Sequence, residues 1–336
     1  MSPGVDPLSH GPQCRPQHNI LISIPRTASN LVTHLLALPA QPSVLAHPRD
    51  GYFFLPALSA RFKHSTFTRP LPSWSPEESD SLGDALCQSA SALETWVMDG
   101  DTQEKGTYVK EHANWMLKPS VESAFLHPDS ATTTVPNNFE RSHTPENPTI
   151  VPDAFWPRVR ATFLVRHPAL TFPSTLRTAL SNEGLEAVLG EESEKMMQWE
   201  CTYKWHILLY RFLTSLTLGT GQKPLIIDAS QLRGQDFVRK YAEEVGLDAD
   251  LVRTSWDAVE EGEQGKMHEI ERRMKDTLLA SNGVIASKLS SRNIDVEAEK
   301  RKWETEFGMA LVQRLERLVE RAMDEYQWLY ERRWHP

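Results

Sequence analysis

Short, wholly apolar runs alternate along this chain with longer stretches of helical periodicity. The first apolar run, Ile20 to Ile24, stops at Pro25. Arg26, Thr27, Ala28, Ser29 and Asn30 follow, and a new apolar pattern then continues to Leu38. This reads as a strand over 19–24, a tight loop, and a helix over 28–38. Residues 39–56 carry prolines, one glycine and aromatics, and predict loop with room for one short strand. The stretch 75–98 opens with Ser-Pro-Glu-Glu and runs amphipathically, as a capped helix does. Residues 108–110 form a short strand ending in Glu111 and His112. A further strand, 161–165, ends in Arg166-His167-Pro168 and passes into a helix near Pro173. One long aromatic-rich helix is predicted over 192–218. A buried strand over 224–227 is closed by Asp228, and a helix over 237–245 is stopped by Gly246. Residues 280–296 read as a polar loop. Over 297–334, Leu311, Leu315, Leu318, Ala322, Tyr326 and Leu329 share one helical face.

Short apolar strands between helices imply an α/β fold: one domain with a mostly parallel central sheet flanked by helices. No internal repeat is visible. The domain is expected over 19–336, after a polar, proline-rich lead over 1–18 that is expected to be disordered. The segment 127–157, rich in Pro, Ser, Thr and Asn, reads as a long, mobile surface insert. In such sheets ligands bind at the carboxyl ends of the strands. Arg26, His112 and Arg166 each lie just past the end of a predicted strand, so three strands deliver polar groups to one edge.

Composition narrows the function classes. The 336 residues carry 36 basic and 45 acidic side chains, a net charge of −9. That argues against a nucleic-acid partner, whose phosphates need a basic face. Three scattered cysteines, Cys14, Cys87 and Cys201, with no C-x-x-C pair, suit a reducing compartment. The N-terminus has no apolar core for a signal peptide, and no run approaches the length of a membrane span. The expectation is a soluble, cytoplasmic protein. No His/Cys/Asp/Glu group has metal-ligand spacing, so no metal is expected. Oligomeric state has no sequence signal.

Three motifs carry chemistry. The loop from Arg26 to Asn30 offers a cation, two hydroxyls, an amide and backbone N–H groups at a helix start, which suits a phosphate-like anion. The nucleotide-kinase spacing G-x-x-x-x-G-K-[ST] is absent. Arg166 is followed eight residues later by Ser174, with Arg177 near. An arginine at a strand end and a hydroxyl on the next helix can hold a second phosphate. Lys110 and His112 alternate on a strand and so share a face, a cation beside a potential base. The other aromatics of the long helix, Trp199, Tyr203, Trp205, Tyr210 and Phe212, read first as core. His167 reads as a packing or capping residue.

Taken together, these motifs resemble the sulfotransferases that use 3′-phosphoadenosine-5′-phosphosulfate (PAPS). Residues 24–31, Ile-Pro-Arg-Thr-Ala-Ser-Asn-Leu, resemble that family's 5′-phosphosulfate loop, P-[RK]-[ST]-G-[ST]-T. Phe-Leu-Val-Arg-His-Pro over 163–168, with Ser174, is similar to its 3′-phosphate motif. Lys110-Glu111-His112 is similar to its K-x-H segment, where the histidine is the base. The order of the motifs agrees, and the resemblance covers about 19–260. It implies that Arg26 and the amides of Thr27, Ala28, Ser29 and Asn30 neutralise the transferring sulfonate. It implies that Arg166 and Ser174 clamp the 3′-phosphate, that His112 takes the acceptor proton, and that Lys110 offsets charge on the bridging oxygen. No metal is required for such a transfer. Two positions depart from the pattern: Ala28 stands where the family has Gly, and Asn30 where it has Thr or Ser. The family's C-terminal R-K-G segment is missing, and the loop 281–288 is the candidate replacement, with Lys288 or Arg292 at the 3′-phosphate.

Three functions remain open at this point. The leading one is sulfonate transfer to a hydroxyl of a small molecule. The second keeps the fold but ends in dehydration, elimination or cyclisation of a small-molecule substrate. The third is a non-catalytic nucleotide-binding relative.

Overall fold

The computed structural model describes residues 17–130, 144–218, 223–259, 262, 269–289 and 294–336. Five strands form one sheet: β1 (His18–Ser23), β2 (Val44–Leu45), β3 (Gly106–His112), β4 (Val159–Val165) and β5 (Leu225–Asp228). Their order is β2-β3-β1-β4-β5, and every neighbouring pair is parallel. Strands covered on both faces must be apolar on both faces, which is why they read as continuous runs. Along β1, Ile20 and Ile22 enter one apolar cluster while Leu21 enters another. The larger cluster takes Val109, Phe163 and Ile226 from the sheet. The smaller takes Tyr108, Leu164 and Ile227.

Helices supply most of the rest of both clusters. In chain order they are α1 (Ser29–Leu35), α2 (Leu55–Lys63), α3 (Pro76–Thr102), α4 (Pro119–Leu126), α5 (Pro168–Leu189) and α6 (Glu191–Glu200). Then come α7 (Lys204–Leu216), α8 (Gln235–Glu244), α9 (Glu269–Leu279), α10 (Val296–Phe307) and α11 (Met309–Glu331). Val32 and Leu36 cover one face with Val238 and Tyr241 of α8. On the other face Leu82, Leu86 and Leu93 of α3 pack with Leu176 of α5 and Leu315 and Leu329 of α11. Ser75 caps α3 in a reciprocal capping box with Glu78, as the Ser-Pro-Glu-Glu opening predicts. Among the described residues no helix is long and apolar enough to cross a membrane.

The differences from the sequence reading have local causes. The strand expected over 108–110 begins at Gly106 and includes His112. The helix after β4 starts at Pro168, with Pro173 inside it. The helix expected over 192–218 is two, α6 and α7. Glu325 of α11 reaches into the break and accepts from Thr202 Oγ1 at 2.8 Å and from the Tyr203 amide at 2.7 Å. The helix expected over 297–334 is also two, split at Gly308, whose φ of +74° an ordinary side chain resists. The polar segment 144–157 is no surface insert: Asn147, Thr149, Ile150, Val151, Phe155 and Trp156 are buried. The stretch 131–143 lies outside the described residues, as does most of the expected lead.

Candidate active site

Parallel strands end on the same side of their sheet, so the loops after β1, β3 and β4 meet. The register sets Ser23, the last residue of β1, beside His112, the last of β3. Three residues beyond β1, Arg26 turns left-handed with φ +66°, and Ala28 does so again with φ +73°. Thr27, wholly buried, donates its hydroxyl to the Ile24 carbonyl at 2.8 Å and closes the turn. The Ala28 carbonyl then accepts from Leu31 and Val32, which starts α1. A left-handed turn is what glycine does at no steric cost, so the methyl of Ala28 stores strain of about 1 kcal/mol or more.

The two anion motifs are bonded to each other. Arg26 Nε donates to Ser174 Oγ at 3.0 Å. One terminal nitrogen of Arg166 donates to the Arg26 carbonyl at 2.7 Å, and the other to the Lys288 carbonyl at 2.8 Å. Arg166 Nε is buried with no partner among the described residues. Burial pulls the Arg166 pKa down to about 10, and nearby Arg26 and Arg177 act in the same sense, yet it stays a cation at neutral pH. Tyr203 braces the Arg166 backbone, its hydroxyl accepting from the Arg166 amide at 2.9 Å. A second Arg26 nitrogen lies 3.7 Å from a carboxylate oxygen of Asp276 on α9. Lys288 is exposed, and its Nζ donates to Thr277 Oγ1 at 3.1 Å.

His112 stands across from this cluster. Its Nδ1 lies 2.9 Å from Ser23 Oγ, which donates in turn to the Glu111 carbonyl at 3.4 Å. That chain assigns the ring proton to Nδ1 and leaves Nε2 as the acceptor. The ring packs edge-on against Trp115 at 4.5 Å and tilted against Tyr52 at 5.5 Å. Burial and the Lys110 charge push its pKa down to about 3, so the imidazole is neutral. Lys110 shares the face of His112 on β3 but ends elsewhere. Its Nζ donates to Asn30 Oδ1, lies 3.6 Å from Asp50, and sits 4.7 Å from the centre of the Tyr52 ring. Burial lowers its pKa to about 8, with Asp50 opposing.

One cavity of about 530 Å³ joins these groups. Arg26, Ala28, Ser29, Asn30, His112, Arg166, Ser174 and Lys288 line it. Thr27 and Lys110 are buried and do not line it; for Lys110 this departs from the expected role at the bridging oxygen, while the role expected of Thr27 is that of its backbone amide. Arg292 lies outside the described residues. Tyr52, Leu58, Phe62, Trp115, Met196 and Trp303 also line it, as do Glu183 and Glu200. Trp199, Tyr203, Trp205 and Phe212 are core, and His167 caps α5 by accepting from the Ala169 amide at 3.2 Å. Sequence reasoning missed Tyr52, Trp115, Trp303, Glu200 and Asp276. Only Trp115, three residues past His112, carried a usable signal. Among the described residues no group of three His, Cys, Asp or Glu side chains is placed to hold a metal ion.

The chain is 33% identical over 334 residues to the sulfotransferase ppzF of Metarhizium majus (strain ARSEF 297), a match covering 95% of this chain and 97% of that one. It is 32% identical over 332 residues to the sulfotransferase ppzF of Metarhizium rileyi (strain RCEF 4871), covering 95% and 96%. No family model and no solved structure matches it. Identity at this level across nearly the whole length, together with the strand-end cluster of arginine, serine and histidine, makes the chain an enzyme of the sulfotransferase family.

Proposed function

We propose that the enzyme transfers a sulfonate group from PAPS to a hydroxyl of a small molecule, with His112 as the general base. The observation that carries this reading is the mutual bonding of Arg26, Ser174 and Arg166 in a cavity that His112 also lines. Two arginines and an orphaned guanidinium nitrogen fit a doubly phosphorylated ligand. When bound, the donor supplies an activated sulfonate on a phosphate leaving group. Arg26, Ser29 and Asn30 hold the 5′ anion and Arg166 with Ser174 the 3′-phosphate, with Lys288 at that end. Lys110 occupies Asn30 Oδ1, which fixes the amide nitrogen of Asn30 as its donor end.

Ser23 engages His112 Nδ1, so Nε2 receives the proton of the attacking hydroxyl. Positioning and fixed positive charge supply most of the rate. The aromatic wall of Tyr52, Trp115 and Trp303 suits an acceptor with an apolar framework.

Calorimetry with 3′-phosphoadenosine-5′-phosphate (PAP), then incubation with PAPS and a panel of phenols and alcohols, tests the reading. Saturable PAP binding and a product heavier by a sulfonate are expected. A product lighter by water would move the assignment to elimination, and absence of PAP binding would end it. His112→Ala is expected to keep PAP binding while turnover falls about 100-fold or more.

A further inference from the structure

Three consecutive residues after β2 have positive φ: Asp50 at +58°, Gly51 at +129° and Tyr52 at +62°. For the two that are not glycine this costs about 1–2 kcal/mol each. The surroundings enforce it. Lys110 N donates to the Asp50 carbonyl at 2.7 Å, and Tyr52 N donates to the Lys110 carbonyl at 3.1 Å. A Cβ on Gly51 would stand 2.1 Å from that same Lys110 oxygen, so no other residue fits there. The loop is therefore clamped onto β3, and Tyr52 is what the clamp delivers. Its ring covers the Lys110 ammonium, faces His112, and is only 8% exposed. It lines the cavity where Lys110 does not.

The hydroxyl of Tyr52 points at Ser29 and Asn30, whose hydrogen bonds oppose the effect of burial on its acidity. Burial, with Glu111 and Asp50 adding, holds the phenol far above its ordinary pKa. It stays protonated and can donate. Resting on the sulfonate-transfer reading, we propose that Tyr52 is a further catalytic residue whose hydroxyl donates a hydrogen bond to a sulfonyl oxygen of the donor and keeps it through transfer. The position fits, since the phenol stands between the loop that holds the 5′ anion and the base that activates the acceptor. The Lys110 cation against the ring face is attracted to it and holds the ring, and with it the hydroxyl, in this position. This gives the buried lysine a task that it performs through Tyr52.

No bond to Tyr52 forms or breaks. The acceptor oxygen bonds to sulfur as the sulfur–oxygen bond to the 5′-phosphate breaks, and the acceptor proton passes to His112.

Tyr52→Phe keeps the ring, its contact with Lys110 and the backbone turn, and deletes only the hydroxyl. Calorimetry with PAP and with PAPS, on wild type and variant, reads the sulfonyl contact without an acceptor. The expected result is PAP affinity within threefold of wild type and PAPS affinity reduced about tenfold or more, the scale of a hydrogen bond to a charged group. An unchanged ratio of the two affinities overturns the inference, and so does an equal loss for both ligands, which marks a structural role. Wild-type protein that binds neither ligand removes the sulfonate-transfer reading itself, and this inference with it. Wild type that binds both while the variant ratio is unmoved removes only the role of Tyr52.

Discussion

The anion end of the cavity and its aromatic end are assembled differently. At the anion end every principal group comes from a strand-end loop or the first turns of the helix after it, and the groups hold one another: Arg26 on Ser174, Arg166 on the Arg26 carbonyl. The aromatic lining comes from α2, α6, α10, the loop before α2 and, through Trp115, the turn after β3, with Glu183 and Glu200 also among the lining residues. A polar cluster cross-linked by charge-assisted bonds has one geometry and one class of guest. An aromatic lining drawn from separate elements constrains its guest mostly by shape and can be altered piece by piece.

The largest expected contrast is in nucleotide affinity. Arg26→Ala removes a cation and the bond to Ser174, and should weaken PAP by about 2 kcal/mol or more, near 30-fold. Trp303→Ala in the aromatic lining should leave PAP affinity within about twofold. Equal losses in a titration of both variants would erase the distinction between the ends. A smaller effect concerns the loop itself. Ala28→Gly relieves the left-handed strain but loosens the unfolded chain, for a net gain of about 1 kcal/mol or less in a urea titration, with tighter PAP binding. A loss of stability would mean that the methyl is better packed than strained.

The last contrast is one of pH, at Glu200. Burial and then Glu183 push the Glu200 pKa up to about 7 from an ordinary 4.5. Above pH 4.5 the unfolded chain releases this proton while the folded one keeps it, so folding carries a cost that is complete past pH 7. Glu200→Gln cannot ionise. Its melting temperature should gain on wild type as pH rises from 4.5 to 7, and hold that gap above. A gap that does not change with pH would show that the carboxyl is solvated.

How much of this was legible follows from the same contrast. Strand runs, their order and the three motifs are local patterns, so the α/β sheet and the polar residues at its edge could be read from single stretches of sequence. The left-handed Ala28 gives a physical reason for the glycine expected there. Lys110 and His112 do share a face, but alternation says nothing of what lies above them, and Tyr52 comes from another loop. The break between α6 and α7 is made by Glu325, 123 residues from Thr202, and leaves no mark on the local periodicity. The buried polar stretch 144–157 misleads for a related reason. Asn147 takes up the polar groups of its own turn, bonding the Val151 carbonyl at 2.8 Å and Asp153 at 2.7 Å, so a hydrophilic segment can be packed inside.

The parallel order of the sheet also sets when the site can exist. β1 is made first but pairs only with strands that follow much later, His18 meeting Thr107 across 89 residues. The Arg166–Arg26 bond spans 140 residues and the Arg166–Lys288 bond a further 122. Closing such long loops is slow, because chain entropy is lost before the contacts repay it. On a growing chain, the apolar first strand must wait unpaired until β3 has been made, and its loop until Arg166 and Ser174 follow β4. The bond from Arg166 to Lys288 closes this cluster last, and until its partners are made the waiting apolar strand is open to misassociation.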